Sequence, residues 1–219
     1  MGGIKEELLR CGLEVVSKKL VVGPGGNLSA RDGDLMWVTP SGLTFEDLTE
    51  DDLVGVDLGT GEVVQGSRRP TSEVLMHLFI LRQRPDVNAI VHTHPPLTIA
   101  LVSCGMAVQA MFPDFVVYLG ASVPNLEYQP PTTKALADRT VELLADRAGI
   151  TMTNHGALTV GRNFREALLR TEVLEEGARI QLAALSAGKP RFISRTECEE
   201  ILGMGSEQYR QQLLDQMKL

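Results

Sequence analysis

Two histidines one residue apart, in Val91-His92-Thr93-His94-Pro95, and a third in Asn154-His155-Gly156 are the residues of this chain best suited to chemistry. The 219 residues hold only 4 histidines, and three of them fall in these two segments. Residues two apart on a strand point to one face with Cα atoms about 6.6 Å apart, so a strand over Ala89 to Thr93 aims the His92 and His94 imidazoles at one place. Three neutral imidazoles hold zinc at about 2.0–2.1 Å each and leave a coordination position open, which separates a catalytic metal from a structural one. The ordinary reading of an isolated His-x-His pair is two polar residues on a half-exposed strand. Here His155, in a turn between two strands, can supply the third ligand. Glu73, at a helix start, can meet the ion or a substrate bound to it. His77 lies one helical turn beyond Glu73 on the same face, and reads as a packing or supporting residue rather than a ligand.

Three further segments have the chemistry of anion sites. Gly25-Gly26-Asn27 offers backbone N–H groups little hindered by side chains, the kind of nest that holds phosphate oxygens. Thr39-Pro40-Ser41-Gly42 offers two hydroxyls and a glycine amide. Thr71-Ser72 adds hydroxyls at a helix N-terminus, itself an anion site, and is adjacent to Glu73. Each alone is ordinary, since glycine loops are usually turns and Ser or Thr before a helix is usually a cap. Their coincidence predicts a phosphate held close to the metal. The spacing fits neither a dinucleotide fingerprint nor a Walker loop.

The elements that must carry these residues are legible in outline. Apolar residues at Ile4, Leu8, Cys11 and Val15 have helical spacing and predict a helix from Ile4 to Leu20. Val21 to Ser29 reads as a Gly-rich loop. Leu35 to Val38 is a strand, and Val54 to Asp57 with Glu62 to Val64 flank a Gly59-Thr60-Gly61 turn as a hairpin. A helix is expected from Pro70-Thr71-Ser72-Glu73 to about Arg84, with Thr71 or Ser72 as its cap and Glu73 at its positive end. Phe115 to Leu119 is an apolar segment, and Thr132 to Ala145 looks helical. Strands at Ile150 to Thr153 and Ala157 to Val160 bracket the Asn-His-Gly turn. The longest helix runs from Asn163 to Ala187, Ser194-Arg195-Thr196-Glu197 is a capping box, and Ser206 to Met217 is a terminal helix. Strands and helices are mixed rather than strictly alternating. The expected fold is therefore a layered α/β architecture with a central, largely antiparallel sheet flanked by helices.

Composition narrows the partners. The apolar fraction of 43% and charged fraction of 22% are those of an ordinary globular protein. No linker or composition break divides the chain, so residues 1–219 are expected to form a single domain. Formal net charge is −7, no basic stripe exists, and nucleic-acid binding is not expected. No apolar run approaches the length of a membrane helix. Charges at Lys5, Glu6, Glu7, Arg10 and Glu14 argue against a signal peptide, so the cytoplasm is the expected compartment. Cys11, Cys104 and Cys198 are widely spaced without a C-x-x-C, and each is expected to be a small buried hydrophobe.

Taken in order, Gly25-Gly26-Asn27-Leu28-Ser29, Thr39-Pro40-Ser41-Gly42, Pro70-Thr71-Ser72-Glu73, His92-Thr93-His94-Pro95 and Asn154-His155-Gly156 resemble the motifs of class II aldolases of the fuculose-phosphate aldolase and ribulose-phosphate 4-epimerase family. The resemblance covers nearly the whole chain. It implies a zinc enzyme, usually a cyclic homotetramer with active sites at subunit interfaces. It also implies that His92, His94 and His155 bind the metal and that Glu73 is the acid/base or a fourth ligand before substrate arrives. Asn27, Ser41, Gly42, Thr71 and Ser72 would hold the phosphate of a small phosphorylated sugar. Manganese or cobalt can replace zinc on such ligands.

The resemblance implies cleavage of a ketose 1-phosphate, of the L-fuculose 1-phosphate kind, to dihydroxyacetone phosphate and an aldehyde. One departure leaves neighbours of that reaction open. Where the family's aldolases often place a tyrosine from the adjoining subunit as proton donor, this chain reads Ala110-Met111-Phe112-Pro113-Asp114-Phe115. Tyr118, Tyr128 and Tyr209 remain, and Tyr209 in the terminal helix is the candidate donor. A sugar-phosphate 4-epimerase and a decarboxylase of a phosphorylated 3-oxo acid are the alternatives on the same chemistry. A non-catalytic assembly module is the alternative from another class; it predicts decayed ligands, whereas Glu73 and the three histidines are present.

Overall fold

A computed structural model of the chain describes residues 3–216. Helix α1, Ile4–Ser17, buries Leu8, Cys11, Gly12 and Val15, the stripe legible in the sequence. It ends in a left-handed turn at Lys19, φ 58°, whose N–H donates to Val16 O while the Leu20 N–H donates to Val15 O. This pair of bonds satisfies the last carbonyls of the helix. Strand β1, Asn27–Asp32, starts inside the segment expected to be loop, which shortens that loop to residues 21–26. One buried face of this strand carries the polar Asn27 and Ser29, so it lacks the alternation of apolar and polar residues that marks a strand.

Strand β2 (Leu35–Val38) follows, then the β3 (Val54–Asp57) and β4 (Val63–Gln65) hairpin. Next come α2 (Val74–Gln83), β5 (Ala89–Thr93), α3 (Pro96–Ser103), β6 (Val108–Gln109), α4 (Pro113–Leu119), β7 (Ser122–Val123), β8 (Asn125–Leu126) and α5 (Lys134–Leu144). The chain closes with β9 (Gly149–Met152), β10 (Gly156–Gly161), α6 (Phe164–Ala187), α7 (Arg195–Gly203) and α8 (Gly205–Gln216). Ser194 forms the expected capping box with Glu197, and Asn163, the expected first residue of the longest helix, is its N-cap and accepts from the Glu166 N–H. The expected cap of α2 is corrected. Its N-cap is Glu73, with no side-chain cap bond, and Thr71 Oγ1 instead accepts from the Glu73 N–H at 3.3 Å.

The main sheet runs β4-β3-β2-β1-β5-β10-β9-β8. Every neighbouring pair is antiparallel except β8 with β9, so the central sheet is largely antiparallel as the mixed element order implied. β6 and β7 form a separate ribbon. Helices α2 and α5 cover one face through Met76, Ile80, Leu136 and Leu144, packed on Ile90, Leu158 and Val160. Helix α1 and the start of α6 cover the other through Leu8, Val15, Phe164 and Leu168, packed on Leu28, Ala30 and Val91. A third cluster joins α3, α4, α6 and α7 around Phe115. Burying a leucine such as Leu8, 0% exposed, contributes about 1.5–3 kcal/mol.

Cys11 and Cys198 are buried as expected, but Cys104 is exposed. It is the C-cap of α3, one residue beyond the helix's last turn, and the packed face of that helix is made by Thr98, Leu101 and Val102. No helix among the described residues is long and apolar enough to cross a membrane.

Candidate metal centre

The centre is assembled where three strands end. β5 lies between β1 and β10, and its register pairs His92 with Asn27 on one side and Leu158 on the other. Directly paired residues share a face, so the His92 imidazole and the Asn27 amide lie on the face covered by α2. The fully buried His92 ring faces Ala157 O through Nδ1 at 2.9 Å. A carbonyl only accepts, so Nδ1 carries the hydrogen and Nε2 presents its lone pair.

His94 lies just past β5. Its backbone N–H donates to Leu20 O at 2.9 Å, so the left-handed turn that ends α1 also anchors this histidine. His155 sits in the turn between β9 and β10, where Asn154 takes φ 55° and the His155 N–H donates to Met152 O at 3.1 Å. The next residue must be glycine: a Cβ at Gly156 would lie 2.3 Å from Thr93 O. The glycine loop after α1 is pressed on the same strand end. A Cβ at Gly26 would lie 2.6 Å from His92 O, and one at Gly25 2.9 Å from His94 Nδ1. Close approach to the histidine segment is thus one demand that these glycines meet.

The three rings meet with centroids 5.1 Å (His92 and His94), 4.9 Å (His92 and His155) and 5.6 Å (His94 and His155) apart. One ring nitrogen from each lies within 4.8 Å of the others, a group able to hold a metal ion. Glu73 reaches into the same space. Its Oε1 is 3.3 Å from His155 Nε2 and its Oε2 is 3.2 Å from His92 Nε2. Asn27 Nδ2 donates to Glu73 Oε2 at 2.9 Å.

Electrostatics agree with a cation site. Burial opposes the charge on Glu73, but the adjoining imidazoles of His92 and His155 and the hydrogen bond from Asn27 outweigh it and hold the carboxyl well below its usual range. Burial, with the neighbouring His92 and His155, pushes His94 down to about 4. His94 is therefore a neutral imidazole at neutral pH, the form that binds metal. His92 Nε2 and His94 Nε2 are buried without hydrogen-bond partners. Orphaned buried nitrogens on imidazoles facing one another, beside an ionised carboxylate, are what a divalent ion would satisfy. The donor set fits such an ion.

His77 is not among the grouped nitrogens. It is fully buried, with Nε2 2.5 Å from Asn27 Oδ1 and Nδ1 2.7 Å from Ser29 Oγ. The expected anion segments are tied to one another beside β1. Pro40 pairs with Pro70, the Ser41 N–H donates to Arg69 O, and the Thr71 N–H donates to Thr39 O. Gly42 has φ 85°, Thr71 is buried, and Ser41 and Ser72 are exposed. The Thr39 hydroxyl accepts from the Leu28 N–H, so it serves the fold. Tyr209 is 61% exposed on α8, which packs on α7.

The family model described as Class II Aldolase and Adducin N-terminal domain matches residues 6–182. The chain belongs to this class II aldolase family. It is an enzyme of the lyase class. The 5-deoxy-D-ribulose 1-phosphate aldolase of Bacillus thuringiensis serovar kurstaki is 35% identical over 199 residues, 90% of this chain and 92% of that protein. The L-fuculose phosphate aldolase of Methanocaldococcus jannaschii is 34% identical over 185 residues, 84% of this chain and 99% of that protein. A solved L-fuculose 1-phosphate aldolase superposes with TM-score 0.87 at 32% identity, covering 96% of this chain and 98% of that one.

Sequence reasoning brought His92, His94, His155 and Glu73 together. It missed Glu175 of α6, which accepts from the Leu97 and Thr98 N–H groups and from the Thr98 hydroxyl. An acidic residue in mid-helix carries no sequence mark that it caps another helix. Ser29 and Leu20 were likewise silent, because their roles depend on strand pairing and on a backbone carbonyl.

Proposed function

We propose that this class II aldolase cleaves a ketose 1-phosphate, of the L-fuculose or 5-deoxyribulose 1-phosphate kind, to dihydroxyacetone phosphate and a small aldehyde. The single observation that carries the reading is the Glu73 carboxylate set 3.2 Å from His92 and 3.3 Å from His155 within the three-histidine group. Relatives bearing those two aldolase activities, similar over most of this chain, support the substrate class.

In this reading His92, His94 and His155 hold zinc, with manganese or cobalt as substitutes on the same ligands. Bound there, the ion would supply Lewis-acid chemistry, its positive charge lowering the cost of the negative charge that carbon–carbon cleavage develops on the substrate. Glu73 moves the proton at the carbon beside the carbonyl, which in the synthetic direction is removal from dihydroxyacetone phosphate. Its ionised state suits it to that base role. Asn27, Ser41, Gly42, Thr71 and Ser72 hold the phosphate. The strapping of residues 39–42 to residues 69–71 supports that assignment, because it keeps the two segments in one arrangement. Fixing the phosphate end makes the reacting carbons return to one geometry. The Asn27 side chain also serves Glu73, so its share in phosphate binding falls to its second amide hydrogen and its backbone.

Tyr209 is the proposed proton donor to the aldehyde oxygen in the synthetic direction; in cleavage the same proton returns to it from the substrate hydroxyl. Its exposure in one copy of the chain fits delivery across a subunit boundary in a cyclic homotetramer. The compartment proposed is the cytoplasm.

The test is product analysis. Metal-loaded protein is incubated with a panel of ketose 1-phosphates, 3-oxo acid phosphates and their epimers. Dihydroxyacetone phosphate and an aldehyde are expected, and Tyr209→Phe is expected to slow their release. A single epimer or carbon dioxide as the product would replace aldol cleavage with epimerisation or decarboxylation. An unchanged rate in Tyr209→Phe removes that residue.

A further inference from the structure

Beneath the Glu73 carboxylate runs a line of buried polar groups that no bond-making step requires. Glu73 Oε2 accepts from Asn27 Nδ2 at 2.9 Å, Asn27 Oδ1 lies 2.5 Å from His77 Nε2, and His77 Nδ1 lies 2.7 Å from Ser29 Oγ. Asn27 is 6% exposed; Ser29 and His77 are 0% exposed. Strand pairing builds the line. Asn27 opposes His92 and Ser29 opposes Ile90, so both side chains rise on the face beneath α2, where His77 follows Glu73 by one turn.

The line has a forced direction. A carboxylate only accepts, so Asn27 must turn its NH2 group toward Glu73. The remaining amide oxygen also only accepts, so His77 Nε2 must carry the hydrogen. Burial holds His77 neutral, with its pKa lowered to about 3. A neutral imidazole with hydrogen on Nε2 has a lone pair on Nδ1, so Ser29 donates to it. Ser29, His77 and Asn27 each pass a donated hydrogen bond toward the carboxylate. Aligned bonds of this kind polarise one another in a dry interior.

We propose that His77 and Ser29 are positioning residues for the reaction: they lock the Asn27 amide in one orientation and, through it, the Glu73 carboxylate against the three imidazoles. This inference rests on the proton-transfer role proposed for Glu73. Without His77, Asn27 can turn its oxygen toward the carboxylate, where two acceptors repel, and Glu73 loses its fixed rotamer. A displacement of about 1 Å at a reacting group can lower the rate on the order of a hundredfold.

Two measurements test it on the metal-loaded protein. The first is a long-range proton–nitrogen NMR spectrum, which reads the His77 tautomer without reference to activity. Hydrogen on Nε2 with Nδ1 as acceptor is expected; hydrogen on Nδ1, or an imidazolium at neutral pH, overturns the directed chain. The second compares His77→Gln, which keeps an N–H near the Nε2 position, with His77→Leu, which removes it. His77→Gln is expected to keep kcat within about threefold, while His77→Leu loses on the order of a hundredfold in kcat, with KM and metal content nearly unchanged. Wild-type kcat in His77→Leu, or equal losses in both variants, overturns the proposal. Should His77→Leu not fold, Ser29→Ala takes its place: a lower kcat at unchanged metal content is expected, and an unchanged kcat overturns it. Absence of cleavage by the unaltered protein would sink the substrate reading alone, since the tautomer is read independently.

Discussion

The Glu175 carboxylate accepts three hydrogen bonds at the N-terminus of α3, two of them from Thr98, through its N–H at 2.9 Å and its hydroxyl at 2.8 Å. The third comes from the Leu97 N–H at 2.9 Å. The first N–H groups of a helix lack intrahelical partners, and an anion there is favoured by the helix dipole. Helix α3 follows His94 directly through Pro95 and Pro96, so the cap also fixes the chain that leaves the histidine segment. Glu175→Ala is expected to lower stability by about 1–3 kcal/mol in urea unfolding and to weaken retention of an added divalent metal in a chelator competition. Metal retention equal to that of the unaltered protein would show that Glu175 serves α3 and not His94.

Gly156 and Thr93 approach closely enough that no other residue fits between them, with a built Cβ 2.3 Å from Thr93 O. Both partners are backbone in adjacent strands, so neither can yield cheaply. Gly156→Ala is expected to cost about 1–3 kcal/mol and to swing His155 away from His92. Metal titration monitored by calorimetry checks this. Wild-type affinity in the variant would show that the turn can absorb the methyl group.

Glu73→Gln removes the charge but keeps the shape and one hydrogen-bonding oxygen. If Glu73 transfers the proton, kcat falls by about a hundredfold to ten-thousandfold while the three histidines still bind metal. Steady-state kinetics beside metal analysis separates the two effects. A variant with full activity would remove Glu73 from the chemistry.

The pH dependence of stability carries the signature of His77. Its folded-state pKa is lowered from 6.5 to about 3, chiefly by burial. Between these values the unfolded chain binds a proton at this side chain and the folded chain does not, so acid favours unfolding. The contribution is complete above pH 6.5 and is lost as pH falls toward 3, at up to about 1.4 kcal/mol per pH unit. His94, lowered to about 4, adds a slope of the same sign in metal-free protein. Urea midpoints of metal-free protein from pH 7 to 4 should therefore fall more steeply than those of His77→Gln. Parallel curves would show that His77 is protonated in the folded state.

The sequence by itself determined the residue types of the centre and the periodic elements. A strand with histidines two apart, a glycine-flanked third histidine and a helix opening on Glu73 are local facts, because the side-chain period of a strand and the turn chemistry of glycine act over a few residues. Helices α1, α5 and α6 were legible for the same reason, within a few residues of their ends. β1 was half hidden, because its Asn27 and Ser29 face is polar. That face is not solvent but the floor of the site, under α2. Only the tertiary structure decided which strands adjoin, and hence that Asn27 stands opposite His92. It likewise decided that Ser29 and His77 meet and that Glu175 reaches α3 across 77 residues of chain from Thr98. Those contacts join segments far apart in sequence. Their geometry is set by sheet order and helix packing, which depend on the whole core rather than on any local run of residues.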